Sequence, residues 1–253
     1  MAGCLAAWVG AIAVTIADGG EEAVRAAAVQ ALVIGAPLAV GVLEWRPGAR
    51  YPRMLIAIGG ALAVVTLSAT DVPVLFSLGR IALWLLAPAV VTLVLAYPSG
   101  RLDGPLDVPL VSAAFAVAVG LYILPLPWTV EFPGPFPWAT CGADCPHNAF
   151  AIVDTQPAVI DDLLRPVREA AVVALLGVVT AVLARRTVTA HPVLRGSLMP
   201  VLAAATANTL LLGAYVATRA TDSNDDLVNG IGWAYMISFA VLAMAFAAAR
   251  VAT

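Results

Sequence analysis

The chain has 253 residues, 62% of them hydrophobic and 11% charged, with a mean hydropathy of +0.95 and a formal net charge of −3. A soluble domain carries about 25% charged residues, so this chain cannot cover a water-facing surface and its natural solvent is lipid. It has no basic face for nucleic acid. All thirteen basic residues are arginine, a bias that with the Ala and Val excess points to a GC-rich genome rather than to a mechanism.

A spanning helix needs about 20 mostly apolar residues. Continuous apolar runs predict eight, at 1–17, 23–43, 54–70, 74–96, 108–126, 167–184, 198–218 and 229–249. The first and third are short. The first could be a cleaved signal sequence, but it lacks a basic leading region. Alternation of the kind seen in barrel strands is missing. Pro37, Pro88 and Gly120 fall within spans, where neighbouring helices can satisfy the freed backbone groups. The predicted fold is therefore an all-α integral membrane bundle of about eight helices, a single domain over 1–253.

The linkers alternate in charge. One set, 44–53, 97–107, 185–197 and the end at Arg250, holds Arg46, Arg50, Arg53, Arg101, Arg185, Arg186, Arg195 and Arg250 against Glu44, Asp103 and Asp107. The other, 18–22, 71–73, 127–166 and 219–228 with the first turns that follow, holds Arg25, Arg165, Arg168 and Arg219 against thirteen acids. Basic residues accumulate in short cytoplasmic loops. Both termini are thus expected in the cytoplasm and 127–166 outside, inserted between spans five and six of a bacterial plasma-membrane protein.

The 127–166 segment is the one sizeable polar stretch. PWTVEFPGPFPW should be extended, with Trp128 and Trp138 at headgroup level. QPAVIDDLLRPVREA reads as a helix start, acids first and Arg later, continuing into the sixth span with a bend at Pro166. Between them lie Cys141 and Cys145. An extracytoplasmic compartment permits a disulfide between them, if Gly142 to Asp144 turn tightly enough. The alternatives are a metal or redox site built from Cys141, Cys145 and His147, with Asp144 alongside, or two silent thiols. Cys4, in the first span, reads as a small buried hydrophobe.

Arg80 lies about two turns into the fourth span. It reads as an interfacial side chain that snorkels, or as a buried partner for Asp71 or Asp226. Asn208, near the middle of the seventh span, reads as interhelical glue rather than as a substrate ligand. No mid-membrane Asp, Glu or His is evident, which argues against a proton-coupled pump. P-loop, GxGxxG, HExxH, GxSxG and kinase Gly-rich motifs are missing. No catalytic residue and no cofactor are predicted, and His147 and His191 fall on opposite sides of the membrane. RPGARYPRML, YPSGRLDGPL and TAHPVLRGSL echo one another weakly, as turns of similar chemistry at a basic surface rather than as inverted repeats.

The order of these motifs resembles the N-terminal membrane-sensing region of bacterial two-component sensor histidine kinases. The matching features are the Tyr97–Leu102 turn, the element Cys145-Pro146-His147-Asn148 one span later, and Leu194, Arg195, Leu198, Pro200 and Val201 after a further span and a basic stretch. The Arg46–Pro52 turn also fits. Such proteins carry a phosphoacceptor His and an ATP-binding domain after the last span, and neither can be carried over onto this chain. The resemblance implies an input module, not itself an enzyme, acting with a kinase core or response-regulator pathway in cis or in trans, with homodimerisation an open option. The alternative reading is a small multi-span transporter or permease.

Overall fold

The computed structural model describes residues 2–17, 21–97, 99–132, 145–220 and 225–251. These form eight helices: α1 (Ala2–Ala17), α2 (Glu21–Leu43), α3 (Tyr51–Val65), α4 (Pro73–Ala96), α5 (Asp107–Val117), α6 (Arg165–Thr189), α7 (Pro192–Ala220) and α8 (Asp225–Val251). No strand occurs among the described residues. Prolines open α3, α4 and α6 at positions where a helix has no N–H to satisfy. A short 3-10 turn, Thr66–Ala69, prolongs α3.

Among the described residues, seven segments are long and apolar enough to cross a membrane, the mark of a multi-pass membrane protein. The exception among the eight predicted spans is α1. Its 16 residues reach about 24 Å, short of a hydrocarbon core about 30 Å thick. It packs on α2 through a hydrogen bond from Trp8 Nε1 to the Ala31 carbonyl, 2.9 Å long, and through the buried pair Thr15 and Gln30.

Two groups of helices differ in burial. In α2, the 51–69 segment, α4 and α8, half or more of the apolar stretch is covered by protein, against 11% in Asp107–Trp128. The first group is the core; α5, α6 and α7 lie against its flank. Small residues permit the closest approaches. A Cβ at Gly79 on α4 would collide with the backbone of Leu67 and Ser68, so the 3-10 turn and α4 meet at a separation that only glycine allows.

One end of the bundle, here termed the turn end, gathers the turns at 44–50 and 97–106, the 190–191 link and the carboxyl end of α8. Gly48 and Gly100 both take positive φ, 85° and 74°, a conformation open to glycine at little cost. The resemblance between RPGA and YPSG is thus one of turn geometry. Tyr51, Tyr97 and Phe246 pack edge-on or tilted, with centroids 5.3–5.5 Å apart. Arg186 donates to the Leu95 carbonyl and pairs with the wholly buried Asp107, whose other carboxylate oxygen caps the Gly104 amide. Arg185, Arg186 and Arg195, expected in a linker, belong to helices, because α6 runs to Thr189 and α7 begins at Pro192.

At the opposite, loop end, the described part of 127–166 folds back on itself. Asn148, 5% exposed, donates from its side chain to the Leu126 and Thr129 carbonyls and accepts from the Phe150 amide. Its own amide donates to the Val130 carbonyl. The Gln156 side-chain oxygen accepts from the Val130 and Glu131 amides, and the Ala149 amide donates to Ser77 of α4. Asn148 thus replaces the missing ladder of an irregular segment with side-chain hydrogen bonds. The bend expected at Pro166 is a π-helical turn, Ile160–Leu164, directly before the proline. The wider turn lets the chain enter α6 past a residue with no N–H.

Candidate functional site

Towards the loop end, α4 to α8 line a partly open cavity of about 140 Å³. Each helix contributes residues at the spacing of one face. From α4 come Arg80, Leu83, Trp84, Ala87 and Val91; from α6, Arg168, Glu169, Val172, Leu175 and Leu176; from α7, Leu212, Tyr215, Val216 and Arg219. Tyr235 of α8 supplies one wall. Tyr122 enters from Ala118–Ile123, a π-helical stretch that continues α5 and is closed by a hydrogen bond from the Leu124 amide to the Val119 carbonyl. Such π turns re-aim side chains and recur at functional sites.

The cavity combines apolar walls with a cationic rim. Arg80 is 5% and Arg168 2% exposed. Arg168 lies over the Tyr122 ring at 5.0 Å and Arg219 over the Tyr215 ring at 5.4 Å, geometry in which an aromatic face stabilises a cation. Glu169 stands 3.6 Å from Arg219 and 3.7 Å from Arg165. The Nε of Arg168 and Nη2 of Arg219 are buried donors with no acceptor among the described residues.

One described residue of the loop packs beside the cavity without lining it. Phe132 packs on Phe76 and Trp84 at 5.7 Å, and the Arg80 guanidinium sits 5.7 Å from its ring. Trp84 in turn meets Tyr122 at 5.1 Å. Arg80 is therefore not a snorkelling residue at a water interface. Its side chain is roofed by a residue from a distant loop. Asp71 and Asp226, considered as its partners, are exposed and do not line the cavity.

The other predicted site residues lie elsewhere. Asn208 donates to Ser238 on α8 at 2.6 Å and joins the two most intimately paired helices. It also borders a second, smaller cavity of about 20 Å³, which shares Val91 and Leu176 with the first and includes Thr180 and Thr209. Cys145 is disulfide-bonded, and a bridged sulfur is no thiolate ligand. Its expected partner Cys141 lies outside the described residues, as do Trp138 and Gly142 to Asp144. The side chain of Cys4 does also. His147 is exposed, and no group of three metal-ligating side chains occurs among the described residues.

Sequence reasoning missed Arg168, Glu169, Arg219 and the tyrosines as a site. A signal was present. Arg80, Arg168 and Arg219 are among the few arginines that fall away from the basic linkers, and each lies near the same end of its span. Comparison with protein-family models, curated proteins and solved structures finds no match for the chain.

Proposed function

We propose that this chain is the membrane-embedded input module of a two-component sensory system, in a bacterial plasma membrane, with both termini cytoplasmic and the loop end outside. In this reading α1 joins the seven longer helices as a short eighth span. The stimulus acts at the cavity, and α8 passes the change towards a kinase core or response-regulator pathway. The observation that carries the reading is the reach of α8. Its Tyr235 borders the cavity, and its Phe246, about 16 Å further along the helix at 1.5 Å per residue, packs between Tyr51 and Tyr97 at the turn end. A ligand that favours one packing of α5–α7 against this helix shifts the population of states read out beyond it. The arginine-rich turns gathered at the far end support the orientation.

The test is a fusion of the chain to a histidine kinase core, with autophosphorylation measured in membranes. Phe132→Ala and Tyr235→Ala are expected to move output by about fivefold or more, whereas Phe115→Ala, on an exposed face of α5, leaves it unchanged. Output indifferent to all three removes the sensory reading.

A permease is the second reading. One observation favours it, the small cavity that continues from the first towards the turn end through Val91 and Leu176. Uptake of a small anion into proteoliposomes that is lost in Arg168→Gln would favour transport over sensing.

A further inference from the structure

We infer that the cavity binds a small organic anion, a carboxylate carried on an aromatic or short apolar body of about benzene size. Three guanidiniums line it, and Glu169 is the one carboxylate among its described lining residues. That carboxylate is already divided between Arg219 and Arg165. Buried charge is costly unless it is paired. The buried donors Arg168 Nε and Arg219 Nη2, with no acceptor among the described residues, are what an incoming carboxylate would satisfy. Guanidinium groups bind carboxylates through directed, charge-assisted hydrogen bonds.

The rest of the cavity specifies the body of the ligand. Trp84, Tyr122 and Tyr235 present rings, and aliphatic side chains of α6 and α7 complete the walls. The volume of about 140 Å³ is close to that of a cavity of about 150 Å³ known to hold benzene. A bare inorganic anion would leave the aromatic walls unused. A cationic ligand would face a net positive rim.

The assignment rests on the reading of this cavity as the input site, but its test measures binding alone. Purified full-length chain in nanodiscs of zwitterionic lipid is titrated with benzoate, benzyl alcohol and benzylamine by calorimetry. Benzoate is expected to bind saturably, at least about tenfold more tightly than either uncharged or cationic analogue, since loss of one charge-assisted hydrogen bond is worth about tenfold or more. Arg168→Gln should weaken benzoate by a similar factor, with Arg168→Lys intermediate. Equal affinity for all three probes, or no benzoate binding, overturns the assignment on the unmutated protein alone, whatever the variants' folding. Loss of benzoate binding when phosphatidylglycerol is included in the nanodisc also overturns it, because the rim would then belong to a lipid headgroup. Benzoate binding without any change in kinase-fusion output would defeat the sensory reading and leave the anion site standing; altered output without benzoate binding would do the reverse.

Discussion

At the scale of single residues, arginine divides into two populations with different physics. The larger, with Arg46, Arg50, Arg53, Arg101, Arg185 and Arg195, sits exposed at the turn end. The smaller, Arg80, Arg168 and Arg219, is buried among rings at the other end. Arg186 stands between them. It holds Asp107, which is 0% exposed. Removing one partner of a buried pair costs about 3–5 kcal/mol, because the other charge is stranded. Arg186→Gln is therefore expected to destabilise the purified chain by about 3 kcal/mol in a denaturant titration, and Asp107→Asn in the same background should restore part of the loss. A change within about 0.5 kcal/mol, the usual range for an ordinary surface substitution, would mean that the pair holds nothing. The arginine sorting was legible in the sequence because charge at helix ends depends on position alone. The site was less so. Linear distance puts Arg80 about 10 Å from the start of α4, near an interface, and its burial depends on tertiary packing that includes Phe132.

At the scale of elements, helix existence followed from apolar run length, and the observed bounds differ from the expected ones by a few residues at most ends. The larger departures have causes. α6 and α7 extend into a basic stretch expected to be a linker, since arginine is a good helix former and only His191 and its neighbour break the run. The π turns at Ala118–Ile123 and Ile160–Leu164 carry no pattern that a 3.6-residue period would reveal, yet one of them aims Tyr122 into the cavity. The loop was legible as a polar segment but its fold was not, because that depends on Asn148 meeting Leu126 and Thr129 across a gap in sequence. Asn148→Ala removes three side-chain hydrogen bonds, worth about 1 kcal/mol each. The expected outcome is rapid cleavage of the loop by an added protease, with the helices intact. Protection equal to the unmutated protein would show that the loop is held by other means.

At the scale of the whole molecule, the helices fall into a well-covered group (α2, α3, α4, α8) and a less covered one (α5, α6, α7), with α7 packed on α8 more extensively than any other pair. A cavity on the boundary between the two is positioned to bias their packing, and α8 belongs to the core while touching the cavity. Packed interfaces of this kind switch between discrete arrangements rather than deforming smoothly. The membrane class was readable from composition. The places of Tyr235 and Phe246 were not, because they are set by partners on other helices, and the coupling proposed along α8 rests on those places.

The most direct measurement of this coupling is a spin-label distance across the turn end. Labels at Leu43 on α2 and Ala248 on α8, both on exposed positions, would be compared in nanodiscs with and without Phe132→Ala, which removes the ring packed on Trp84 and Arg80 at the far end. Two distance populations whose ratio changes with the variant are predicted. A single distribution, identical in both proteins, would contradict the link between cavity and α8.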